Sequence, residues 1–390
     1  MRVVHVINRF GYSGGAENQL VMNLIHFSDS DIEHRVVVLF HEEDDEAGGV
    51  EFERVFLFRA GERPGRGAVL KALRAELRNC APDLVHCTLA DAALSSRIAG
   101  RLDGWPVLES LVNLSHEPVR IVDNPSVKRW KLEAHRWLDK ATMRSVAHFH
   151  ALTQAVAESW IDVVGLDPSK ITVIPRGVDL TRFDLTDVDE PRARVRSELG
   201  LEPHHKMLLN VGRQEPQKGQ RYLIESLPRI LEDIPDAVLV MAGRTGNSTA
   251  ALQGLIDQLA LREKVIQVGV RDDIPHMLHA CDVFVFPSLF EGLGVSLIEA
   301  MAARRPCVAS TAPPFSEIID HGRNGMLANV RDPSSIATCV TNILNSPDLG
   351  NRLAFAARGR VEEEYEISRT ARRTEELYLS LHRSRTGLPQ

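Results

Sequence analysis

The sequence predicts an α/β protein made of two Rossmann-like, doubly wound parallel sheets, and three observations lead there. Short β-branched runs alternate with longer amphipathic stretches along the whole 390-residue chain. The strand candidates are short and almost continuously apolar, as strands buried on both faces must be. They also outnumber what one compact sheet holds. The alternation is therefore read as two similar α/β domains facing each other across a cleft, with ligands beyond the carboxyl ends of the strands.

In the first half the strands are read at Arg2–Ile7, Arg35–Phe40, Arg54–Phe58, Asp83–Cys87, Pro106–Leu111, His148–Leu152 and Ile171–Ile174. Helical patterns lie between them, clearest at Ala16–Phe27, Ala68–Asn79, Ala90–Leu102 and Val127–Arg144. The second half repeats the alternation, with strands at Met207–Val211, Ala237–Ala242, Val265–Val268, Val283–Pro287, Cys307–Ser310 and Gly325–Ala328. The polar segment Asp179–Pro191 lacks periodicity and ends in a proline suited to the first position of a helix. It sets expected domain boundaries of 1–185 and 186–364, leaving 365–390 as a final charged amphipathic helix.

Composition excludes several classes. With 46 Lys+Arg against 53 Asp+Glu the formal charge is -7, which argues against nucleic acid as a partner. Five scattered cysteines form no CxxC pair, so neither zinc nor a disulfide framework is expected; they read as small buried hydrophobes in a reducing compartment. The N-terminus lacks the apolar core of a signal peptide, and no run reaches the roughly 18 residues needed to span a bilayer. The expected location is the cytoplasm, at most peripheral at the inner membrane surface.

Three loops carry chemistry. Gly11-Tyr12-Ser13-Gly14-Gly15-Ala16-Glu17 follows the first strand and opens a helix, where free N–H donors offer partial positive charge. Read alone it is either a tight turn or a phosphate site, and it is not the dinucleotide GxGxxG. Gly212 to Gly219 places Arg213 and Lys218 around a turn after Met207–Val211, a pair suited to a diphosphate or else two solvated cations. In Pro287–Ala302, Glu291 lies in a glycine-broken loop and Glu299 on the following helix, where a half-buried carboxylate wants donors such as a vicinal diol, or a salt-bridge partner.

Glu291 and Glu299 form E-x7-E within PSLFEGLGVSLIEAMA, which resembles the signature of retaining, nucleotide-sugar-dependent glycosyltransferases of family 4, with the two-domain GT-B fold. Gly-Gly-Ala-Glu at 14–17, Gly212-Arg213 with Lys218-Gly219, ITVIPRGVD at 171–179 and the block AGR…VIQVGV…CDVFVFPS are similar in order and spacing. The resemblance implies an acceptor-side first domain, a nucleotide-sugar-binding second domain, and a last helix that crosses back to the first. It implies that the Gly14 and Gly15 amides, Arg213 and Lys218 hold the donor diphosphate. Backbone amides around Leu293, Gly294 and Val295 would add to it, Glu291 would bind the transferred sugar and Glu299 the ribose diol. The nucleobase would lie near Gly269, Val270 and Arg271.

No cofactor or metal is implied, since cations of the protein replace a divalent ion. Asp29-Ser30-Asp31 and Asp187-Val188-Asp189 are read as solvated loops. The sequence departs from the family after Pro106–Leu111, where a histidine reaching the donor sugar is usual; His116 comes a few residues late, and Asn113 occupies the nearer position. The glycine-rich turn usual after Cys307–Ser310 is replaced by Thr311–Glu317.

On the acceptor side, Ser126–Arg144 carries Val127, Trp130, Ala134, Trp137 and Ala141 on one stripe, with Lys128, Arg129, Lys131, Arg136, Lys140 and Arg144 around it. The stripe packs on its own domain or rests on an anionic membrane bearing a lipid-linked acceptor. The expected activity is transfer of a sugar, UDP-linked rather than GDP-linked, to a hydroxyl of a glycan or lipid-linked acceptor in cell-surface glycan or glycolipid synthesis. A sugar-nucleotide epimerase or hydrolase, and a non-catalytic sugar-nucleotide sensor, are the rivals.

Overall fold

The computed structural model describes residues 1–10, 15–41, 53–59, 61–62, 64–117, 128–185 and 189–387. They form two compact units, the first from residues 1–117, 128–177 and 367–387, the second from Val178–Glu366.

The first unit is a parallel sheet of β1 (Arg2–Ile7), β2 (Glu33–Phe40), β3 (Arg54–Phe58), β4 (Leu84–Thr88), β5 (Val107–Leu111), β6 (His148–Ala151) and β7 (Ile171–Val173). Its order is β3-β2-β1-β4-β5-β6-β7. Between the strands run α1 (Gly15–His26), α2 (Arg66–Cys80), α3 (Ala90–Asp103), α4 (Arg129–Thr142) and α5 (Gln154–Val164). The period of two sends Val4 and Val6 to one face, where they pack with Val37, Val85 and, from α2, Leu73 and Leu77. Ile7, Val36 and Val38 face the other way, onto Val21 and Leu24 of α1. The Thr153 hydroxyl caps α5 by accepting from Val156 N–H at 3.2 Å, and Gly165 in the left-handed conformation ends it.

The second unit repeats the plan with β8 (Lys206–Val211), β9 (Ala237–Ala242), β10 (Val265–Gly269), β11 (Val283–Phe286), β12 (Cys307–Ser310) and β13 (Met326–Ala328) in the order β10-β9-β8-β11-β12-β13. Its helices are α6 (Asp189–Glu198), α7 (Gln220–Asp233), α8 (Thr249–Gln258), α9 (Ile274–Ala280), α10 (Val295–Ala302), α11 (Phe315–Ile318), α12 (Pro333–Leu344) and α13 (Pro347–Glu364). Leu208, Leu239, Val283 and Val308 meet Leu223, Ile224 and Leu227 of α7 in its core. In both sheets the strand order reverses at the middle, between β1 and β4 and between β8 and β11. All thirteen expected strands are present. The five cysteines are free and buried.

The two ends of the second unit meet where Val178 N–H donates to Tyr365 O at 2.7 Å. The chain then returns to the first unit as α14 (Ile367–Thr386), seated on the face that α1 covers. A Cβ at Gly177 would stand 2.2 Å from Thr370 Oγ1 and 2.5 Å from Ile367 Cα, so only glycine admits the helix there. The buried Glu375 carboxylate accepts from the Ser28 and Asp29 amides at 2.8 Å each, and Leu377 and Tyr378 join Val3, Leu84, Leu108 and Ile174 in the core.

Candidate functional site

The second and third loop motifs leave β8 and β11, which are hydrogen-bonded neighbours at the reversal of the second sheet. That adjacency brings together residues 73 positions apart. Lys218 Nζ donates to Glu291 Oε1 at 2.6 Å, with both side chains mostly buried, and lies 5.2 Å from the centre of the Phe286 ring. The loops are also joined by backbone, since Leu289 N–H donates to Gln217 O at 2.8 Å and Gln217 Nε2 to Phe290 O at 3.0 Å. Gly219 sits at φ +63°, and a Cβ on it would reach 2.1 Å from Pro287 O. Arg213 is exposed beside this pair and makes no side-chain hydrogen bond or ion pair among the described residues.

Leu293, Gly294 and Val295 form the start of α10. Gly294 has φ +90°, and its missing Cβ leaves room for Phe315 and Phe286, whose ring atoms would otherwise lie 2.7 and 3.1 Å away. The helix N-terminus thus emerges from the same strand end as the Lys218–Glu291 pair. Glu299, one turn further on, is half-buried, and its carboxylate has no hydrogen-bond partner among the described residues. Burial pushes its carboxyl up to about 7, opposed by the charge of Arg182. An arginine fork, an ammonium, a helix N-terminus and two carboxylates on one sheet edge make a surface for a diphosphate and for hydroxyls. Val270 is 69% exposed just past the end of β10. The Arg271 guanidinium is bound by Glu198 and, at 2.8 Å, by Asp273, so two carboxylates already occupy its fork.

In the first unit Gly14 lies outside the described residues, and Gly15 is the first residue of α1. His116 is 7% exposed; its Nε2 bonds Asp139 Oδ2 at 2.9 Å and its ring meets Trp160 edge-on. Burial pushes the Asp139 carboxyl up, but hydrogen bonds from His116 and Arg97 outweigh this and hold it below its ordinary range. Arg97, itself buried, reaches Asp139 Oδ1 at 2.5 Å and Glu109 Oε2 at 2.6 Å. These contacts make His116 part of the tether of α4 rather than an open group at a strand end. Asn113 accepts Leu114 N–H on its own Oδ1 at 2.8 Å, and its carbonyl accepts Trp160 Nε1–H at 3.0 Å.

No residue of α4 is buried, and Trp130 and Trp137 are 65% and 66% exposed, so the stripe does not pack on its own unit. Residues 126 and 127 lie outside the described residues. Asp29 and Asp31 precede β2, at its amino end, while Asp187 and Val188 are not described. Among the described residues no group of three or more His, Cys, Asp or Glu side chains is placed to hold a metal.

One feature escaped the sequence reading. His5, His86, Ser110 and His150 take successive positions across β1, β4, β5 and β6 on the α1–α14 face. The Ile174 carbonyl can only accept, so His150 Nε2–H donates to it at 2.7 Å and His150 Nδ1 accepts from Ser110 at 3.1 Å. Ser110 in turn accepts from His86 Nε2–H at 2.8 Å, and His86 Nδ1 accepts from Tyr378 Oη–H at 2.7 Å. Burial holds His86 at about 3 and His150 at about 4, so both are neutral, as this directed chain requires. The signal in the sequence was a histidine in the middle of otherwise apolar strands.

Residues 191–360 match the family described as Glycosyl transferases group 1, and residues 13–182 match Glycosyltransferase Family 4. The chain is 30% identical over 311 residues to D-inositol 3-phosphate glycosyltransferase 2 of Catenulispora acidiphila, covering 76% of this chain and 70% of that one. It is 27% identical over 303 residues to the UDP-Gal:alpha-D-GlcNAc-diphosphoundecaprenol alpha-1,3-galactosyltransferase of Escherichia coli, covering 77% and 76%. Among solved structures, Anabaena Alr3699/HepE in complex with UDP and glucose shares the fold with a TM-score of 0.80 at 19% identity, over 97% of this chain and 99% of that one.

Proposed function

Because the chain belongs to the glycosyltransferases of group 1 and family 4, we propose that it moves a sugar from UDP to a hydroxyl of a glycan or lipid-linked acceptor, with retention at the anomeric carbon. The observation that carries this reading is the Lys218–Glu291 pair at the reversal of the second sheet. Breaking the sugar–phosphate bond builds negative charge on the leaving diphosphate and positive charge on the ring. Lys218 Nζ commits one N–H to Glu291 and keeps two for phosphoryl oxygens. Arg213 adds its fork and the Leu293–Val295 turn its amides, while Lys218 and the turn are fixed before the charge develops. Glu291 takes hydroxyls of the sugar, and Glu299 accepts from the ribose diol. The base stacks near Gly269 and Val270. The acceptor hydroxyl attacks from the side the diphosphate leaves and passes its proton to a departing phosphoryl oxygen, so no enzyme carboxylate becomes covalently bound.

The donor named for the E. coli enzyme and the UDP held by the Anabaena protein support uracil as the base. The exposed tryptophans and cations of α4 support contact with an anionic membrane surface, where a lipid-linked acceptor for surface glycan synthesis is found. Incubation with labelled UDP-sugars and hydroxyl acceptors in excess EDTA tests the whole reading. The expected product is an acceptor glycoside with the donor's anomeric configuration. Free sugar or an epimer as sole product refutes transfer, an inverted product refutes retention, and loss of activity in EDTA refutes metal independence.

A further inference from the structure

A cavity of about 40 Å³ lies in the first unit beneath α1 and α14, at the carboxyl ends of β4 to β7. It has room for one small polyatomic group. Thr88, Ser110 and Pro175 line it from the sheet, Gln19 and Asn23 from α1, and Arg176 stands at its edge. Of all the residues that line it, Arg176 alone carries a permanent charge. Its three histidines are neutral, because burial holds His86 and His150 at about 3 and 4 and His5 well below its ordinary value.

Arg176 makes no hydrogen bond or ion pair among the described residues. Burial pushes it down to about 10, and the only opposing influence is the charge of Glu17, which attracts it without bonding it. Its Nη1 lies 3.3 Å from where a Cβ on Gly15 would be, so the guanidinium rests against the first turn of α1, where amides lack partners. A second group points the same way. His5 is 2% exposed and lines the cavity, and its Nδ1 has no partner. Gln19 Nε2 donates to Asn23 Oδ1 at 2.7 Å, which leaves the Asn23 amide N–H groups free to donate. A partly buried cation with no bonded counter-charge among the described residues is costly. A fork, a helix N-terminus and a neutral polar lining around a small space supply what a phosphoryl group needs.

We propose that Arg176 and this cavity form a phosphoryl-binding subsite in the first unit. Resting on the transferase reading, the group is a phosphate of the acceptor.

The first test is independent of transfer. Thermal unfolding of the full chain is followed in inorganic phosphate and in chloride of equal ionic strength. Phosphate is expected to raise the midpoint of the wild type by several degrees and that of Arg176→Gln not at all. In phosphate-free buffer Arg176→Gln is expected to be at least as stable as the wild type, since no partner is stranded. Arg176→Lys retains a cation and is expected to keep part of the phosphate effect. Steady-state kinetics then identify the source. A tenfold or greater rise in acceptor KM with donor KM unchanged in Arg176→Gln is expected, and the converse change overturns the acceptor assignment. Equal midpoints in phosphate and chloride, or equal protection of wild type and Arg176→Gln, overturn the subsite. Should no sugar be transferred under any condition, the transferase reading fails while the phosphate shift still decides this one.

Discussion

Lys218 and Glu291 hold each other at 2.6 Å, and each is useful only because the other keeps it in place. Losing one preorganised donor to a leaving group typically costs about 3 to 4 kcal/mol of barrier. Lys218→Ala is therefore expected to slow turnover at least a hundredfold, and unchanged steady-state rates would reject its phosphate role. Glu299 supplies a pH signature. Its carboxyl is pushed up to about 7 in the fold, against an ordinary value of 4.5. It therefore disfavours the free fold increasingly as pH rises from 4.5 through 7, and not at lower pH. An ionised carboxylate accepts both hydroxyls of a diol, so UDP affinity should rise between pH 6 and 8 in calorimetric titration. Glu299→Gln should remove that rise; an unaltered profile would release Glu299 from the ribose. The E-x7-E spacing was legible in the sequence. The Lys218–Glu291 contact was not, because it depends on β8 pairing with β11 across an intervening pair of strands.

At the level of elements, α4 is held by its polar side and shows its apolar one. Asp139 is gripped by Arg97 and His116, while Trp130 and Trp137 stand in solvent. Periodicity revealed the stripe but not its destination, since an amphipathic helix looks the same whether a core or a bilayer receives it. It also left His116 as a candidate at a strand end, because its partner Asp139 comes from a helix whose placement no local pattern fixes. A basic residue near an anionic surface contributes about 1 kcal/mol. Reversing Lys131 and Lys140 to glutamate, with both tryptophans changed to serine, should abolish flotation with anionic vesicles and leave thermal stability close to wild type. Flotation at the original level would sever α4 from the membrane.

On the scale of the whole chain, the alternation of strands and helices in two parallel sheets was the part the sequence disclosed most fully. Short apolar runs separated by helices leave parallel, doubly covered sheets as the solution. What it concealed was the polar layer inside the first sheet, because a histidine among valines carries no periodic signal. That layer gives the first unit its own acid response. His34 at about 4, His86 at about 3 and His150 at about 4 all lie below the ordinary 6.5. Their contribution to stability is present above 6.5 and is lost as pH falls towards 4, the opposite direction to Glu299. Thermal midpoints should therefore drop steeply below pH 6, and a flat acid profile would contradict the neutral assignment. Tyr378→Phe strands His86 Nδ1 and should cost about 1 to 3 kcal/mol in chemical denaturation.

The bond from Tyr378 to His86 spans 292 positions. A nascent chain emerging from the ribosome has made every strand of the first sheet by residue 177, yet the hydroxyl that completes its interior arrives only with α14. Residues 178–366 of the second unit are synthesised in full during that interval and can fold while the earlier sheet waits. Chains stalled before α14 would leave the first unit with Leu84, Leu108 and its histidines uncovered, a substrate for chaperones until α14 is released.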